Sequence, residues 1–260
     1  DAGRDVVQRL SELRPDVVFN ALHGRWGEDG SVQGLLEWLR IPYTHSGVMA
    51  SALAMDKQRS KHIFSNSGLP TALGFMIEKS GLLTSHPLDK PYVVKPINEG
   101  SSIGVYFVNP KEDPPLKVAS DMPSILMVEE YIPGRELTVT VMGKKALAVT
   151  DIITQNWYDY DAKYKKGGSI HEVPAKIPKI IQEKCLEYAL SAHELIGCRG
   201  ISRADFRWDE SLGLDGIILL EINTQPGMTP TSLVPEQAKI CGINFNDLCH
   251  WLVEDASCDR

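Results

Sequence analysis

The 260-residue sequence lacks the features of several common protein classes. It has no apolar run long enough to cross a bilayer, which takes about 20 residues as a helix, so we expect no membrane partner. Its first residues do not follow a signal-peptide pattern, and because residue 1 is Asp rather than Met we expect further sequence upstream.

Positive charge is also in the minority, since the sequence has 27 Lys and Arg residues against 34 Asp and Glu residues and a net charge of -7. A nucleic-acid partner is therefore not expected. The five cysteines are odd in number and show no CxxC spacing, which predicts reduced thiols of a cytoplasmic protein. The hydrophobic fraction of 43% is ordinary for a globular protein of one large domain or two to three small ones.

The most informative stretch is a buried strand that ends in polar residues. An apolar run over 217–220 leads into Glu221 and Asn223, whose spacing of two places both side chains on one face. Pro226 and Gly227 then predict a tight turn. Carboxylate and amide oxygens are ligands that Mg²⁺ prefers, so this strand end predicts a metal site. The alternative is a polar strand end that meets water.

A second predicted strand, residues 200–208, places Arg203 and Asp205 on one face. The polar segment that follows it predicts a hairpin with Asp205 beside Glu221 and Arg203 beside the turn at Gly227. Two neighbouring carboxylates repel each other, and a divalent ion between them removes that repulsion. Arg203 adds a guanidinium to the same predicted site; the alternative is a structural partner of Asp205 or Glu221.

The N-terminal sequence predicts a strand, followed by a Gly-rich loop and then a helix. Residues 15–22 form the strand, residues 23–30 the loop, and Ser31 is predicted as the N-cap of a helix through Leu39. Ligands bind at the carboxyl ends of such strands in α/β proteins. His23 is therefore a candidate for orienting a ligand, with a structural histidine as the alternative.

Further along, residues 41–44 predict a strand and residues 48–53 a short helix. A longer helix begins at Asp56 and Lys57 and is closed by Gly68, and a domain boundary is predicted near Asp56. Lys57 lies just inside the helix start, where a solvated surface lysine is the usual alternative.

A possible anion site follows the predicted strand 91–96, which carries Lys95. The loop 98–105 contains small Gly and Ser residues that let the backbone approach a phosphate. The loop lacks the GxxxxGK[ST] order of a Walker A motif. Without further context an ordinary turn is the alternative.

The strand that begins at Ile125 ends in carboxylates, and Glu129 and Glu136 flank a turn. Such carboxylates can accept from an adenine amino group or ribose hydroxyls, the alternative being a solvated acidic edge. Strands 136–142 and 146–154 then predict a hairpin.

Residues 156–169 are polar, aromatic and long, which is typical of an active-site lid. An amphipathic helix is predicted over 178–196, ended by Gly197, and short helices over 235–241 and 246–254.

In their order and spacing these motifs resemble the ATP-grasp ligases, most closely the D-alanine–D-alanine ligase family. The resemblance covers nearly the whole chain, from about Val17 to Leu252. It rests on His23-Gly24 with Gly27-Glu28-Asp29-Gly30, Tyr43-Thr44 through Met55-Asp56-Lys57, Val94-Lys95-Pro96 with Glu99-Gly100-Ser101-Ser102, Tyr158-Asp159-Tyr160 with Ala162-Lys163-Tyr164, Arg203 with Asp205, and Glu221 to Thr229 followed by Ser232-Leu233-Val234-Pro235.

The resemblance implies a mixed α/β (α+β) ATP-grasp fold with a partial Rossmann-like N-terminal domain. It implies three domains: an N-terminal domain over 1–56, a central ATP-grasp subdomain over 57–136, and a C-terminal domain over 137–260 that carries the metal and substrate site. The family's first strand and Gly-rich turn, which carry a glutamate for the amine of the first D-alanine, are not in this sequence. We therefore expect the sequence to lack a leading segment that activity requires.

The resemblance also implies roles for individual residues. ATP would be bound by Lys57, Lys95, Glu99, Ser101, Ser102, Glu129, Ile132, Glu136 and Lys163. Two Mg²⁺ or Mn²⁺ ions would be held by Asp205, Glu221 and Asn223. Substrate would be bound by His23, Tyr160, Arg203, Gly227, Ser232 and Leu233, and catalysis would involve Ser101, Lys163, Tyr164, Arg203 and Gly227.

The implied activity is the ATP-dependent joining of two D-alanines through an acyl phosphate, by a homodimer. The sequence contains no Ser-His-Asp or Cys-His constellation, which agrees with a reaction driven by lysines, metal and preorganised donors. The alternatives are a D-alanine–D-lactate ligase, which Tyr164 disfavours, another ATP-grasp carboxylate–amine ligase, or a non-catalytic ATP-binding module.

Overall fold

A computed structural model describes Gly3 and residues 5–100, 104–154 and 169–258. The predicted lid lies almost entirely outside these ranges, as do Ser101, Ser102, Tyr160, Lys163 and Tyr164. Over the part of the chain that the structure describes, every helix is too short or too polar to span a bilayer.

The described residues form helices and two antiparallel sheets. The helices are α1 (Val6–Leu13), α2 (Ser31–Leu39), α3 (Val48–Met55), α4 (Lys57–Asn66), α5 (Lys179–Ile196), α6 (Leu233–Ile240) and α7 (Phe245–Asp255), with 3₁₀ turns over Lys79–Leu83 and Glu210–Gly216. The strands are β1 (Gly74–Glu78), β2 (Tyr92–Lys95), β3 (Tyr106–Val108), β4 (Ile125–Glu130), β5 (Arg135–Met142), β6 (Lys145–Ile153), β7 (Ile170–Glu172), β8 (Ile201–Trp208) and β9 (Ile217–Asn223).

In the N-terminal region the predicted strands over 15–22 and 41–44 are wrong. The two segments meet at one parallel bridge between Val18 and Tyr43, where the Val18 N–H donates to the Pro42 carbonyl at 2.8 Å, and Tyr43 forms one further bridge, to Ser257. A single bridge cannot supply the ladder of hydrogen bonds that defines a strand. Tyr43 is nevertheless 0% exposed, and its burial explains the apolar pattern over 41–44 that suggested a strand.

The start of α2 also differs from the prediction, because Ser31 is its first helical residue and not its N-cap. Gly30 precedes it with φ of 92°, a left-handed conformation that glycine adopts without strain. Asp29 takes the capping role instead, since its Oδ1 accepts from the Ser31 N–H at 3.0 Å. The glycine shifts the helix start by one residue and brings the carboxylate of Asp29 within reach.

The start of α4 agrees with the sequence prediction. Asp56 is its N-cap, and the Asp56 carboxylate accepts from the Arg59 N–H at 3.0 Å. Lys57 and Lys61 are one helical turn apart, so they share a face, and both are buried. The solvated alternative for Lys57 is therefore wrong.

The first sheet has four antiparallel strands in the order β1-β4-β2-β3. Its buried face packs against the 3₁₀ turn at 79–83 through Leu82, Tyr92, Val94, Leu126 and Val128. The second sheet has five strands in the order β7-β6-β5-β8-β9. Helix α5 covers one face of this sheet, and apolar residues such as Leu137, Val139, Cys185, Ala189, Phe206 and Leu219 form the largest core.

The register of β8 and β9 confirms the predicted hairpin. Asp205 lies opposite Glu221, and Arg203 lies opposite Asn223. The two remaining predicted helices begin earlier than expected, at Leu233 and Phe245. The domain boundaries at residues 56 and 136 stay predictions.

Buried His193 on α5 predicts a loss of stability in acid. Burial lowers the pKa of His193 to about 4, and its Nδ1 lies 2.7 Å from the Ser202 hydroxyl. The unfolded chain takes up the proton first as the pH falls below 6.5, the ordinary pKa of histidine, so stability is lost between about pH 6.5 and pH 4. We expect this group to cost about 2 kcal/mol between pH 7 and pH 5.

Urea denaturation of wild type and of His193→Gln at both pH values would measure this effect. The variant is expected to lose less stability than wild type on acidification. His250→Gln is the control, since that side chain is 72% exposed. Equal pH dependence in wild type and His193→Gln would contradict the prediction.

Candidate active site

A cavity of about 450 Å³ lies where the end of β9, the start of α4 and the loop before α6 meet. Ten predicted site residues line it: His23, Lys57, Glu99, Arg203, Asp205, Glu221, Asn223, Gly227, Ser232 and Leu233. Four others, Lys95, Glu129, Ile132 and Glu136, are not in this lining. The remaining five are those outside the described ranges.

Asp205 and Arg203 form a bidentate ion pair in the cavity wall. The Arg203 Nε donates to Oδ1 of Asp205 at 2.8 Å and Nη2 donates to Oδ2 at 2.7 Å. The Thr138 hydroxyl on β5 donates to the same Oδ1 at 2.6 Å. This planar fork fixes both side chains against the sheet, because two parallel bonds restrict rotation more than one does.

Lys57 connects the start of α4 to two predicted site residues. Its Nζ lies 3.4 Å from Oε2 of Glu221 and donates to the backbone carbonyl of Glu99 at 2.6 Å. The ammonium group therefore lies between β9 and the start of the loop 98–105, the predicted anion site. This is a position from which a phosphate oxygen could replace either contact.

The oxygen atoms of Asp205, Glu221 and Asn223 fit a hard divalent cation. They belong to facing positions of β8 and β9 and line one cavity. In the described ranges no group of three His, Cys, Asp or Glu side chains is placed to hold a metal, so the amide of Asn223 would have to complete the set. Two carboxylates and an amide suit Mg²⁺ or Mn²⁺ rather than zinc.

A buried pair of amides joins the N-terminal region to the turn after β9. The Asn20 Nδ2 donates to Oε1 of Gln225 at 3.1 Å, and the Gln225 Nε2 donates to the backbone carbonyl of Asn20. The Gln225 N–H also donates to Oδ1 of Asn223 at 2.8 Å. Sequence reasoning missed both amides, although Asn20 interrupts an apolar run and was a usable signal.

His23 and Glu28 form a hydrogen-bonded pair at the N-terminal side of the cavity, with 2.9 Å between Nδ1 and Oε1. The hydrogen bond to Glu28 raises the pKa of His23 against the opposing effect of burial. Glu28 was not predicted as a site residue. Its position in the same Gly-rich loop was the available signal.

The N-terminus of α6 forms the opposite side of the cavity. The Ser232 hydroxyl accepts from the Thr229 N–H at 3.0 Å, and a side chain at Gly227 would place Cβ 3.1 Å from the same hydroxyl. Buried Gln237 anchors the helix, because its Oε1 accepts from the Thr140 N–H at 2.7 Å and its Nε2 donates to the Thr138 carbonyl at 3.2 Å. The anchor therefore reaches the strand residue that also holds Asp205.

His171 is a further cavity residue that sequence reasoning missed. It lies on β7, and its Nδ1 is 2.7 Å from Oε2 of Glu236 on α6. No local pattern marks either residue, since they are 65 positions apart and meet only through the tertiary structure.

The predicted adenine and ribose residues lie on β4 (Glu129), in the loop between β4 and β5 (Ile132) and on β5 (Glu136). Glu129 is 3% exposed and pairs with Lys61 and Lys95, so a solvated acidic edge is wrong for this residue. Burial raises the pKa of the Glu129 carboxyl, but Lys95 and Lys61 outweigh it and the pKa is lowered. The Ile132 carbonyl accepts from the Arg207 Nε at 3.1 Å. Arg207 Nη1 also lies 3.5 Å from Glu136.

Comparison with known proteins finds the same family over the N-terminal and the C-terminal part of the chain. Residues 66–254 match the family described as D-ala D-ala ligase C-terminus, and residues 3–46 match D-ala D-ala ligase N-terminus. D-alanine–D-alanine ligases of Cereibacter sphaeroides and Ruegeria pomeroyi are 64% and 63% identical over all of this chain and 85% of their own lengths.

A solved structure leads to the same family. The crystal structure of D-alanine–D-alanine ligase from Bacillus anthracis complexed with ATP superposes with a TM-score of 0.76 at 27% identity. The similarity covers 96% of this chain and 81% of the other.

Proposed function

The chain belongs to the D-alanine–D-alanine ligase family, and we propose how its residues divide the roles in that family's reaction. The enzyme uses ATP to join two D-alanines into D-alanyl-D-alanine for peptidoglycan synthesis. The observation that supports our assignment is the convergence of Arg203, Asp205, Glu221 and Lys57 on one cavity.

In the first step the carboxylate of one D-alanine attacks the γ-phosphorus of ATP. An oxygen–phosphorus bond forms, the bond to ADP breaks, and an acyl phosphate results. Lys57 and Lys95 would neutralise the phosphate charge, and their burial strengthens that attraction because the local dielectric is low. Lys163 and the loop residues Glu99, Ser101 and Ser102 would assist at the phosphates.

In the second step the amine of the other D-alanine attacks the acyl carbon. The amine loses a proton, and the tetrahedral intermediate then expels inorganic phosphate. Arg203 and the Gly227 N–H would donate to the oxygen that becomes anionic, as preorganised donors do in acyl transfer. Arg203 is already held by Asp205, so little reorganisation is needed when charge develops.

Asp205, Glu221 and Asn223 would hold Mg²⁺ or Mn²⁺, with two ions expected. When bound, the metal would offset the charge of the transferring phosphoryl group. The ligand set of two carboxylates and an amide supports this role. Lys57 also contacts Glu221. The two side chains would therefore move together when Lys57 binds a phosphate and Glu221 binds the metal.

Ser232 and Leu233 would bind the carboxylate of the second D-alanine at the start of α6, where unpaired backbone N–H groups favour an anion. His23 would orient substrate from the opposite side. Ser101, Tyr160 and Tyr164 complete the proposed set by the family resemblance, and they lie outside the described ranges.

Glu129 and Ile132 would contact the adenine of ATP, and Glu136 would contact its ribose.

We further propose that the enzyme is a cytoplasmic homodimer. The five cysteines are all free thiols, which supports a reducing compartment. The family resemblance supports the dimer, and sedimentation equilibrium would test it.

Phosphate release and product analysis test the activity directly. The full-length enzyme, with its leading segment, is given ATP and Mg²⁺ and is supplied in turn with D-alanine, L-alanine, or D-alanine plus D-lactate. We expect phosphate release with D-alanine and formation of the dipeptide. A depsipeptide as the main product, or no D-alanine-dependent phosphate release, would contradict the proposal.

The His23–Glu28 pair gives a prediction on substrate binding. His23→Gln removes a charge-assisted donor from the cavity, so KM for D-alanine should rise about tenfold or more while KM for ATP changes little. Glu28→Gln should act in the same direction because it removes the partner that orients the imidazole. Steady-state kinetics with each substrate varied separately would measure both constants. An equal rise in both KM values would argue for a general structural defect.

A further inference from the structure

Lys61 is a buried lysine for which the reaction described above has no role. It lies on α4, one turn after Lys57, and is 6% exposed. Its Nζ contacts Oε1 of Glu129 and also donates to the Ala72 carbonyl at 3.2 Å. On the other side of the carboxylate, the Nζ of Lys95 lies 2.5 Å from Oε2 of Glu129.

The cluster of Lys61, Glu129 and Lys95 has more positive than negative charge. One lysine would be enough to neutralise the Glu129 carboxylate, and burying a second lysine beside it costs desolvation energy. Glu221 also attracts Lys61, but Glu221 already contacts Lys57. A purely structural pair therefore does not explain the arrangement. An excess of positive charge beside the predicted nucleotide residues suits a site that receives a polyanion.

The carboxylate of Glu129 is held in place from several directions. Each of its oxygens faces one lysine, and Cβ added at Gly74 on the paired strand β1 would lie 2.9 Å from its Cγ. An ionised carboxylate has about four acceptor positions, so two lysine contacts leave acceptor capacity on both oxygens. A protonated carboxyl would instead present a donor.

On the basis of the proposed function, we propose that Lys61 is a positioning residue for the nucleotide base. It keeps Glu129 ionised and oriented so that the carboxylate accepts from the 6-amino group of adenine. A purine with an oxygen at position 6 would place an acceptor against this carboxylate and be rejected. Lys61 thereby contributes to the selection of ATP over 6-oxo purine nucleotides.

Removal of Lys61 leaves Glu129 buried with a single partner. The carboxyl is then easier to protonate, because burial disfavours the charged form and half of the compensating charge is gone. A neutral carboxyl can donate to a 6-oxo group. The expected signature is therefore a change in base preference and not only weaker binding.

The test compares ATP and ITP binding to wild type, Lys61→Met and Lys61→Arg. Nucleotide affinity is measured without D-alanine, and KM values are measured with it. Lys61→Met is expected to weaken ATP binding about tenfold or more and to reduce the ATP-to-ITP preference at least tenfold, with KM for D-alanine unchanged. Lys61→Arg should retain most of the preference. Lys179→Met, at a side chain that is 87% exposed, is the control.

Melting temperatures separate this role from a structural one. If Lys61→Met melts earlier but binds ATP and ITP in the wild-type ratio, the proposal is wrong. Should that variant fail to fold, Glu129→Gln provides the second test, and an unchanged ratio there would also overturn the proposal.

Dipeptide formation by wild type is scored separately. A wild type that prefers ATP over ITP but makes no dipeptide would refute the ligase assignment and leave the role of Lys61 intact. If wild type forms dipeptide but Lys61→Met keeps the wild-type ATP-to-ITP ratio, the ligase assignment stands and the proposed role of Lys61 is wrong.

Discussion

Replacing Glu221 with glutamine is expected to lower ligase turnover by about a thousandfold or more, because a metal that neutralises phosphoryl charge contributes several kcal/mol to the transition state. The substitution keeps the size of the side chain but removes one of two carboxylates from the donor set. It also removes the anionic partner of Lys57, whose Nζ lies 3.4 Å from Glu221. The Glu221 side chain is 31% exposed, so the fold should tolerate the change.

Turnover is measured across a Mg²⁺ and Mn²⁺ titration, with the melting temperature as a check on folding. The control is Glu183→Gln, an exposed carboxylate on α5 that is expected to behave as wild type. Asp205→Asn should lose turnover to a similar extent, with a larger loss of stability because it breaks the ion pair with Arg203. Near-normal activity of Glu221→Gln at saturating metal would remove Glu221 from the metal site.

Replacing Arg203 with methionine is expected to slow dipeptide formation about a hundredfold to a thousandfold, the usual cost of losing one oxyanion donor. ATP affinity should stay close to wild type, because the guanidinium donates to the acyl oxygen and not to the nucleotide. Arg203→Lys keeps the charge but loses the planar fork, so it should recover only part of the activity.

The structure sharpens this test, because Arg203 also forms two hydrogen bonds to Asp205. If that structural contact is its whole role, Arg203→Met should lose stability and metal binding together. Melting temperature, ATP affinity and dipeptide formation measured on one preparation separate the two roles. Arg9→Met, at an exposed arginine of α1, is the control. A methionine variant that makes dipeptide at the wild-type rate would exclude Arg203 from the mechanism.

The sequence was most informative where short-range patterns decide the structure. The period of two in β8 and β9 and the short link between them predicted the pairing of Asp205 with Glu221, and the register agrees. The capping carboxylate of Asp56 likewise predicted the start of α4. In both cases the determining residues are neighbours along the chain, so the physics is local.

Local patterns were less reliable where long-range packing competes with them. The apolar run around Val18 suggested a strand, but a strand requires a partner along its length, and here the partner meets it at one bridge. The left-handed conformation of Gly30 shifted the start of α2 past the predicted cap. Neither outcome is encoded in a window of a few residues.

By itself the sequence determined the family, the mixed α/β class, the β8–β9 hairpin and the chemical types of the proposed ligands, because residue identity and short spacing carry that information. Only the tertiary structure decided which distant groups meet. The amides of Asn20 and Gln225 are 205 positions apart, and Lys61 reaches Glu129 across 68. Such contacts depend on how helices and sheets pack around a shared core, and no periodicity along the chain specifies them.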